Sequence, residues 1–288
     1  MASKITIPDL KKIRVTDPLF SHYAGMVAKK MIPVQWEILN GKQGQSRCFC
    51  IDNFRIAGGT LQGEHRGVVF GDTDAYKWLE AVAYCETEYI SQADELIEII
   101  GQAQQPDGYL NTYFTVCHPE LRWKNLTEGH ELYSAGHLIE AAVAYYNATG
   151  KRRLLDIAAK FADLICKTFG DGEGQLPGYP GHQEIELALV KLWRVTGEER
   201  YLKTARFFID CRGRTPNYLL REMNDPNHKV IFPELRNYDP SYSQSHVRPV
   251  EQKTMEGHAV RAMYQCSAMA DLADIQQDEA LRSACQTL

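Results

Sequence analysis

Apolar residues recur with a helical period through most of the chain after Asp74. A first predicted helix has its apolar face on Trp78, Val82, Cys85 and Tyr89. A second has its face on Leu96, Ile97, Ile100 and Ala103. Pro106-Asp107-Gly108 ends this second helix, and "YLNTYF" after it is predicted to be extended.

Two segments farther along the chain repeat one helix-pair pattern. Aligning Thr149-Gly150 with Thr196-Gly197 superposes "YNATGKRRLLDIAAKFADLI" on "WRVTGEERYLKTARFFIDC" with an offset of 47 residues. In each copy an evenly apolar helix precedes an amphipathic one, which indicates an inner helix and an outer helix. Each glycine lies where a positive φ closes a tight return. A repeat of this length predicts an all-α array or ring of helical hairpins.

The first 75 residues follow a different pattern. "KITI" and "KIRV" alternate like short strands, and Asp17-Pro18 is a helix start. Pro33 is expected to end or kink that helix, and the glycine-rich residues 40–75 are expected to form a long loop. We therefore divide one barrel domain into residues 1–75, with strands, first helix and loop, and residues 76–288, with the hairpin repeats.

The number of hairpins predicts that the ring is incomplete. A third inner helix follows Gly257-His258, and "DEALRSACQTL" starts an outer helix at which the sequence ends. We count about nine helices in all, whereas a closed ring of six hairpins needs twelve. The expectation is a barrel that stops before ring closure.

Composition excludes several classes of function. The 32 Lys and Arg residues against 37 Asp and Glu residues give a net charge of −5, which makes nucleic acid an unsuitable partner. No apolar run is long enough to span a membrane, and the N-terminus lacks a secretory core. Several of the eight cysteines lie in apolar helical pattern, so we expect reduced thiols and a cytoplasmic location. A homo-oligomer is possible.

Candidate chemistry lies at glycine-histidine pairs that open helices. His130, His182 and His258 each follow a glycine just before a predicted inner helix, where an imidazole can donate or accept hydrogen bonds. We expect these imidazoles to converge on one central cavity. His137 also follows a glycine, but it lies inside its helix and is expected to pair with Glu140 at i,i+3.

Two acidic residues are further candidates for binding a ligand. Glu184, two residues after His182, is predicted to face the cavity, and Glu186 is predicted to face the other way. Asp107 lies in "QPDGYLNTYF", where aromatic rings among amides and carboxylates suit a sugar. A turn followed by a buried strand explains that segment equally well. No H-E-x-x-H or C-x-x-C motif is present, so we expect no metal site built from this chain alone.

Several long segments resemble glycoside hydrolase family 127, whose characterised type is a non-reducing-end β-L-arabinofuranosidase. They are "VQWEILNG", "NFRIAGG", "QPDGYLNTYF", "GHELYSAGHLIEAAVAYYNATGKRRLLDIA", "PGYPGHQEIELALVKLWRVTGEERYL" and "EGHAVRAMY". The resemblance implies an (α/α)6 barrel and retaining hydrolysis by a zinc-held cysteine thiolate with a glutamate acid/base. It places the nucleophile, the acid/base and the zinc ligands in segments that follow this one. Zinc is therefore expected in the full-length family, and no catalytic residue or metal ligand is assigned here.

The family's sugar-contacting positions map onto this chain at four residues. They are His130 in "GHELY", His182 in "PGHQE", His258 in "EGHAV" and Gln35 in "PVQWE". The predicted function is the sugar-binding half of a hydrolase for L-arabinofuranose-containing oligosaccharides or glycoconjugates, inactive by itself. Another helical-barrel carbohydrate enzyme, such as an unsaturated glucuronyl hydrolase or a polysaccharide lyase, is the first alternative. A non-catalytic helical-repeat scaffold is the second.

Overall fold

Helices dominate the structure. The computed structural model describes residues 12–42, 48–85 and 88–288. In chain order its α-helices are α1 (Pro18–Met26), α2 (Ile32–Leu39), α3 (Cys50–Ala57), α4 (Asp72–Tyr84), α5 (Ile90–Ala103), α6 (Thr112–Cys117), α7 (Glu131–Thr149), α8 (Arg153–Thr168), α9 (Ile185–Thr196), α10 (Glu199–Cys211), α11 (Tyr218–Met223), α12 (Ala259–Gln276) and α13 (Glu279–Thr287). A π-helical turn spans Val27–Met31, and short 3-10 helices lie at Pro119–Leu121, Pro233–Leu235, Pro240–Ser243 and Pro249–Glu251.

Antiparallel hairpins form an arc of inner and outer helices. The inner helices α4, α7, α9 and α12 contact one another in chain order, and α5, α8, α10 and α13 each pack on the inner helix before them. Along α7 all residues from Ser134 to Tyr145 are buried. On α8 the buried residues fall on one face, because this helix packs on one side only. The predicted all-α fold of helical hairpins is confirmed.

The two repeat glycines end their inner helices as predicted. Gly150 and Gly197 both have φ +74°, the left-handed conformation that a glycine adopts without steric cost. Their amides donate to the carbonyls of Tyr146 and Trp193. These caps turn α7 into α8 and α9 into α10 with short connections.

The N-terminal region differs from its prediction in two ways. Pro33 does not end the helix, because the π turn at Val27–Met31 immediately before α2 lets the chain accommodate the proline at the first turn of α2. The predicted strand at residues 12–15 is wrong: residues 13–16 have no strand pairing. The strand predicted for residues 4–7 lies outside the described residues.

Two segments predicted to lack helix contain one. Within residues 40–75, α3 buries Cys50, Ile51 and Phe54 on one face. The stretch after Gly108 forms α6, because the Asn111 side chain accepts the Phe114 amide at 3.0 Å and caps the helix. The count of nine helices is therefore too low, since the described residues contain thirteen α-helices. Eight of the helices in the described residues form the four hairpins of the arc, which are α4–α5, α7–α8, α9–α10 and α12–α13.

All eight cysteines lie in described ranges and are free thiols, as predicted. Within the described residues, no helix combines the length and the apolar character needed to cross a bilayer.

Candidate functional site

The glycine-histidine pairs lie where the loops of neighbouring hairpins pack tightly. A Cβ on Gly181 would come within 2.2 Å of the Thr127 carbonyl oxygen, and one on Gly257 within 2.1 Å of the Ser241 carbonyl oxygen. A Cβ on Gly129 would meet the Asn125 carbonyl oxygen at 2.5 Å. These glycines let one loop backbone approach another, which brings the following histidines together.

The imidazole rings of the three histidines lie close together. The ring centroid of His182 lies 5.7 Å from that of His130 and 5.7 Å from that of His258. His130 is the N-cap of α7, His182 precedes α9 by three residues, and His258 is the N-cap of α12. Three successive inner helices therefore direct one imidazole each to a common site, which we call the histidine cluster.

Each imidazole has one nitrogen in contact with the backbone. His130 Nδ1 lies 2.5 Å from the Glu128 carbonyl oxygen, and His182 Nδ1 lies 2.7 Å from the Gln183 carbonyl oxygen. His258 Nδ1 accepts the Arg261 backbone N–H at 3.5 Å, the capping contact of α12. These contacts fix the rings relative to their own helix starts.

The cluster is held in the neutral state. Burial, together with the nearby Arg261 charge, lowers the pKa of His130 to about 4 and that of His182 to about 2. The same two causes lower the pKa of His258. Arg261 is itself buried, with Nη1 donating to the Gly181 carbonyl and to Ser243 Oγ, both at 2.8 Å. At pH 7 the cluster therefore offers uncharged imidazoles.

A second buried pair lies beside the cluster. His137 Nδ1 is 3.5 Å from Glu184 Oε1, and the two residues are 5% and 1% exposed. Burial lowers the pKa of His137 to about 3 and raises that of Glu184 to about 9, the latter with help from the Glu140 charge. The predicted pairing of His137 with Glu140 is wrong. Glu140 binds Lys191 instead, because α9 brings both Lys191 and Glu184 against α7.

Glu186 binds a different partner from Glu184. Its Oε1 lies 3.2 Å from Nη2 of the fully buried Arg212. That guanidinium also donates to the carbonyls of Pro180 and Ser243. Glu186 therefore anchors the loop that carries His182, and it takes no part in the cluster.

Aromatic rings surround the histidines, and sequence reasoning did not single them out. The Tyr133 ring centroid is 4.4 Å from that of His182, and the Lys77 ammonium donates to the Tyr133 hydroxyl at 2.9 Å. Phe70 and Phe232 lie 5.0 and 5.6 Å from His130. Tyr133 could have been found, since it follows His130 by three positions on one helix. Lys77 and Phe232 are far from the three histidines in sequence, so no helical spacing links them to the site.

Buried Glu128 holds the segment that presents Phe232. Its carboxylate accepts the Phe232 amide and His228 Nε2, both at 2.7 Å, and it is 0% exposed. Its backbone carbonyl contacts His130, so one residue positions both a cluster imidazole and an aromatic neighbour.

The remaining predicted residues lie elsewhere. Asp107 is half exposed and pairs with Arg122 at 2.7 Å, while its Oδ1 accepts the Tyr109 amide. Gln35 is exposed on α2, next to Trp36, which stacks on Trp78 with centroids 4.6 Å apart. Neither residue has a contact with the three histidines among the described residues. Their roles in binding a substrate stay predictions.

In the part of the chain that the structure describes, no three His, Cys, Asp or Glu side chains are grouped so as to hold a metal ion. The zinc implied by the family resemblance stays an expectation for full-length members.

The chain is similar to known proteins in both sequence and structure. Residues 12–288 match the family described as β-L-arabinofuranosidase, GH127 catalytic domain. A curated non-reducing end β-L-arabinofuranosidase of Bifidobacterium longum subsp. longum is 36% identical over 291 aligned residues, covering 93% of this chain and 44% of that protein.

Two solved structures share the fold closely. A GH127 β-L-arabinofuranosidase from Geobacillus stearothermophilus T6 superposes with a TM-score of 0.90 at 52% identity, covering 96% of this chain and 44% of the other. A second GH127 β-arabinofuranosidase has a TM-score of 0.81 at 34% identity, covering 97% and 42%. The chain thus spans less than half the length of these relatives.

Proposed function

The chain belongs to the family of GH127 β-L-arabinofuranosidase catalytic domains, and from this premise we propose that its histidine cluster binds the terminal arabinofuranosyl ring of a β-L-arabinofuranoside. The substrate would be an oligosaccharide or a glycoconjugate. The family match along residues 12–288 favours this sugar over the uronic acids of the alternative barrel enzymes.

The observation that supports the proposal is the convergence of three neutral imidazoles beside aromatic rings. The ring centroid of His182 lies 5.7 Å from that of His130 and 5.7 Å from that of His258. Uncharged ring nitrogens suit hydroxyl groups, which both donate and accept hydrogen bonds. Phe70 and Tyr133 offer aromatic surface to the C–H groups of a sugar. A small polar ligand with one apolar face fits this combination.

In the reaction, these residues would bind and orient the sugar. Holding a reactant in one geometry lowers the entropic part of the activation barrier. Cleavage would require an acid/base, a nucleophile and zinc beyond the groups assigned here, and the zinc would stabilise a thiolate nucleophile. We therefore propose that the 288-residue chain binds the sugar without hydrolysing it, and that a companion segment completing the barrel is needed for activity. We also propose that Glu184, which is neutral and contacts His137 beside the cluster, lines the floor of the site.

The test is a binding measurement on the 288-residue chain. Methyl β-L-arabinofuranoside is titrated into the protein and followed by NMR. His182→Ala removes the central imidazole and is expected to weaken binding about tenfold or more. His22→Ala, at an exposed position on α1, is the matched control and should bind like the parent.

Equal affinity in the folded His182→Ala variant and the parent would remove His182 from the site. Absence of any binding to the parent would contradict the proposed function of this chain.

A further inference from the structure

The backbone partner of each cluster imidazole determines which of its nitrogens carries the proton. A carbonyl oxygen only accepts hydrogen bonds, so the Nδ1 atoms that face carbonyls must be N–H donors. This applies to His130, facing the Glu128 carbonyl at 2.5 Å, and to His182, facing the Gln183 carbonyl at 2.7 Å. In a neutral ring the other nitrogen is then bare. Both residues therefore leave Nε2 as an acceptor.

His258 is held in the opposite way. The group next to its Nδ1 is the Arg261 backbone N–H, at 3.5 Å, and a backbone N–H only donates. Nδ1 must therefore be the bare nitrogen, and the proton of the neutral ring lies on Nε2. The difference follows from position, because His258 caps α12 with its side chain, whereas His130 caps α7 from a left-handed conformation with φ 54°.

The rings stay neutral because they are buried and because a buried cation lies near them. Arg261 on α12 is 3% exposed and is fixed by the Gly181 carbonyl and Ser243 Oγ. Its charge and the burial of the rings both disfavour imidazolium at all three positions. A doubly protonated ring would offer donors only and would erase the distinction between the tautomers.

We propose that the histidine cluster presents two imidazole acceptors, Nε2 of His130 and of His182, and one imidazole donor, Nε2–H of His258, to its ligand. This deepens the proposed function and rests on it. The sugar edge that fits has two hydroxyl groups that donate and one oxygen that accepts. A metal ion would need the lone pair of all three Nε2 atoms, so this arrangement favours a polyhydroxylated ligand.

The tautomers are measured on the unliganded 288-residue chain by long-range ¹H–¹⁵N NMR at pH 7. The protonated and bare nitrogens of a neutral imidazole resonate far apart, and each ring is assigned through bonds from its own Cβ, so no variant is needed. We expect the Nδ1–H form for His130 and His182 and the Nε2–H form for His258. The opposite tautomer at any of the three positions, or an imidazolium at pH 7, overturns the proposal.

The second arm compares methyl β-L-arabinofuranoside with its monofluorinated analogues, in which fluorine replaces one hydroxyl at a time. Fluorine cannot donate a hydrogen bond. We expect replacement at two positions to weaken binding about tenfold and replacement at the third, where the oxygen only accepts, to weaken it less. Equal losses at all positions would overturn the two-acceptor, one-donor assignment.

The two arms separate the two ideas. If the parent glycoside does not bind, the proposed function fails, and with it the assignment of a sugar edge. The nitrogen shifts then still decide the tautomers of the free protein.

Discussion

At the scale of single residues, the pair formed by His137 and Glu184 shows how burial removes charge without removing contact. The two side chains lie 3.5 Å apart and are almost fully buried. Desolvation disfavours both imidazolium and carboxylate, so it lowers one pKa and raises the other. Among the described residues, neither nitrogen of His137 has a hydrogen-bond partner, and Glu184 Oε2 has none either. The pair is neutral at pH 7.

This neutrality predicts a pH dependence of stability. The pKa of His137 is about 3 in the folded chain, below its ordinary value of 6.5. Between those values the unfolded chain binds more protons, so stability is present above pH 6.5 and is lost as the pH falls. His137→Asn removes this contribution. The free energy of unfolding is measured with urea at pH 7 and at pH 5, for the parent and for the variant. The loss of stability between these two pH values should be smaller in the variant by about 1–2 kcal/mol.

The control for this experiment is His22→Asn, since His22 is exposed on α1. That variant should follow the parent at every pH. A His137→Asn variant with the parent's full pH dependence would show that His137 titrates normally in the folded chain.

At the scale of elements, α7 and the start of α9 approach each other closely at Gly136. A Cβ on Gly136 would lie 2.5 Å from Glu184 Cγ and 3.0 Å from the backbone of Glu184 and Ile185. Because backbone atoms cannot move aside as a flexible side chain can, a larger residue here must push the two helices apart. Gly136 thus sets the helix separation that brings Glu184 to His137.

Gly136→Ala should therefore destabilise the chain in spite of the higher helix propensity of alanine. We expect a loss of about 1–3 kcal/mol in the free energy of unfolding, as for other overpacked interiors. Gly25→Ala on α1 is the matched control, since its Cβ would have no atom within 4 Å. It should be neutral or stabilising by up to about 1 kcal/mol. Equal effects of the two substitutions in urea unfolding would refute the close-approach argument.

At the scale of the whole molecule, apolar side chains are exposed on α12, the last inner helix of the arc, and on α1. On α12, Val260 and Met263 are 49% and 53% exposed, one turn apart on the same face. On α1, Leu19 and Phe20 are 58% and 65% exposed. Grouped exposed apolar residues are typical of surfaces that associate.

We predict that the isolated chain self-associates through these faces. In a double variant, Val260 and Met263 are both replaced by glutamine, which is a good helix former. This variant should show a sedimentation distribution shifted towards the monomer at the same protein concentration. Leu61→Gln, at an exposed loop position away from both helices, is the control and should sediment like the parent. An unchanged distribution for the double variant would exclude the α12 face as a cause of association.

The sequence by itself determined the helical hairpins and which histidines lie together. Helical periodicity located the hairpins, because burial on one face imposes a spacing that any single helix reveals. The Thr-Gly returns located the turns, since only a few residues adopt a positive φ without cost. The glycine-histidine pairs marked helix starts that belong to one ring, and for that reason three histidines far apart in sequence could be expected to meet.

Only the tertiary structure decided which side chains are partners. Lys77 and Tyr133 are 56 residues apart, and their contact depends on how α4 and α7 are rotated against each other. The same holds for His137, whose partner is Glu184 on a neighbouring element and not Glu140 on its own helix. Periodicity states which face of a helix is buried, but the residue met by each side chain follows from the distance and angle between helices. Those depend on packing along the whole arc, which no local pattern contains.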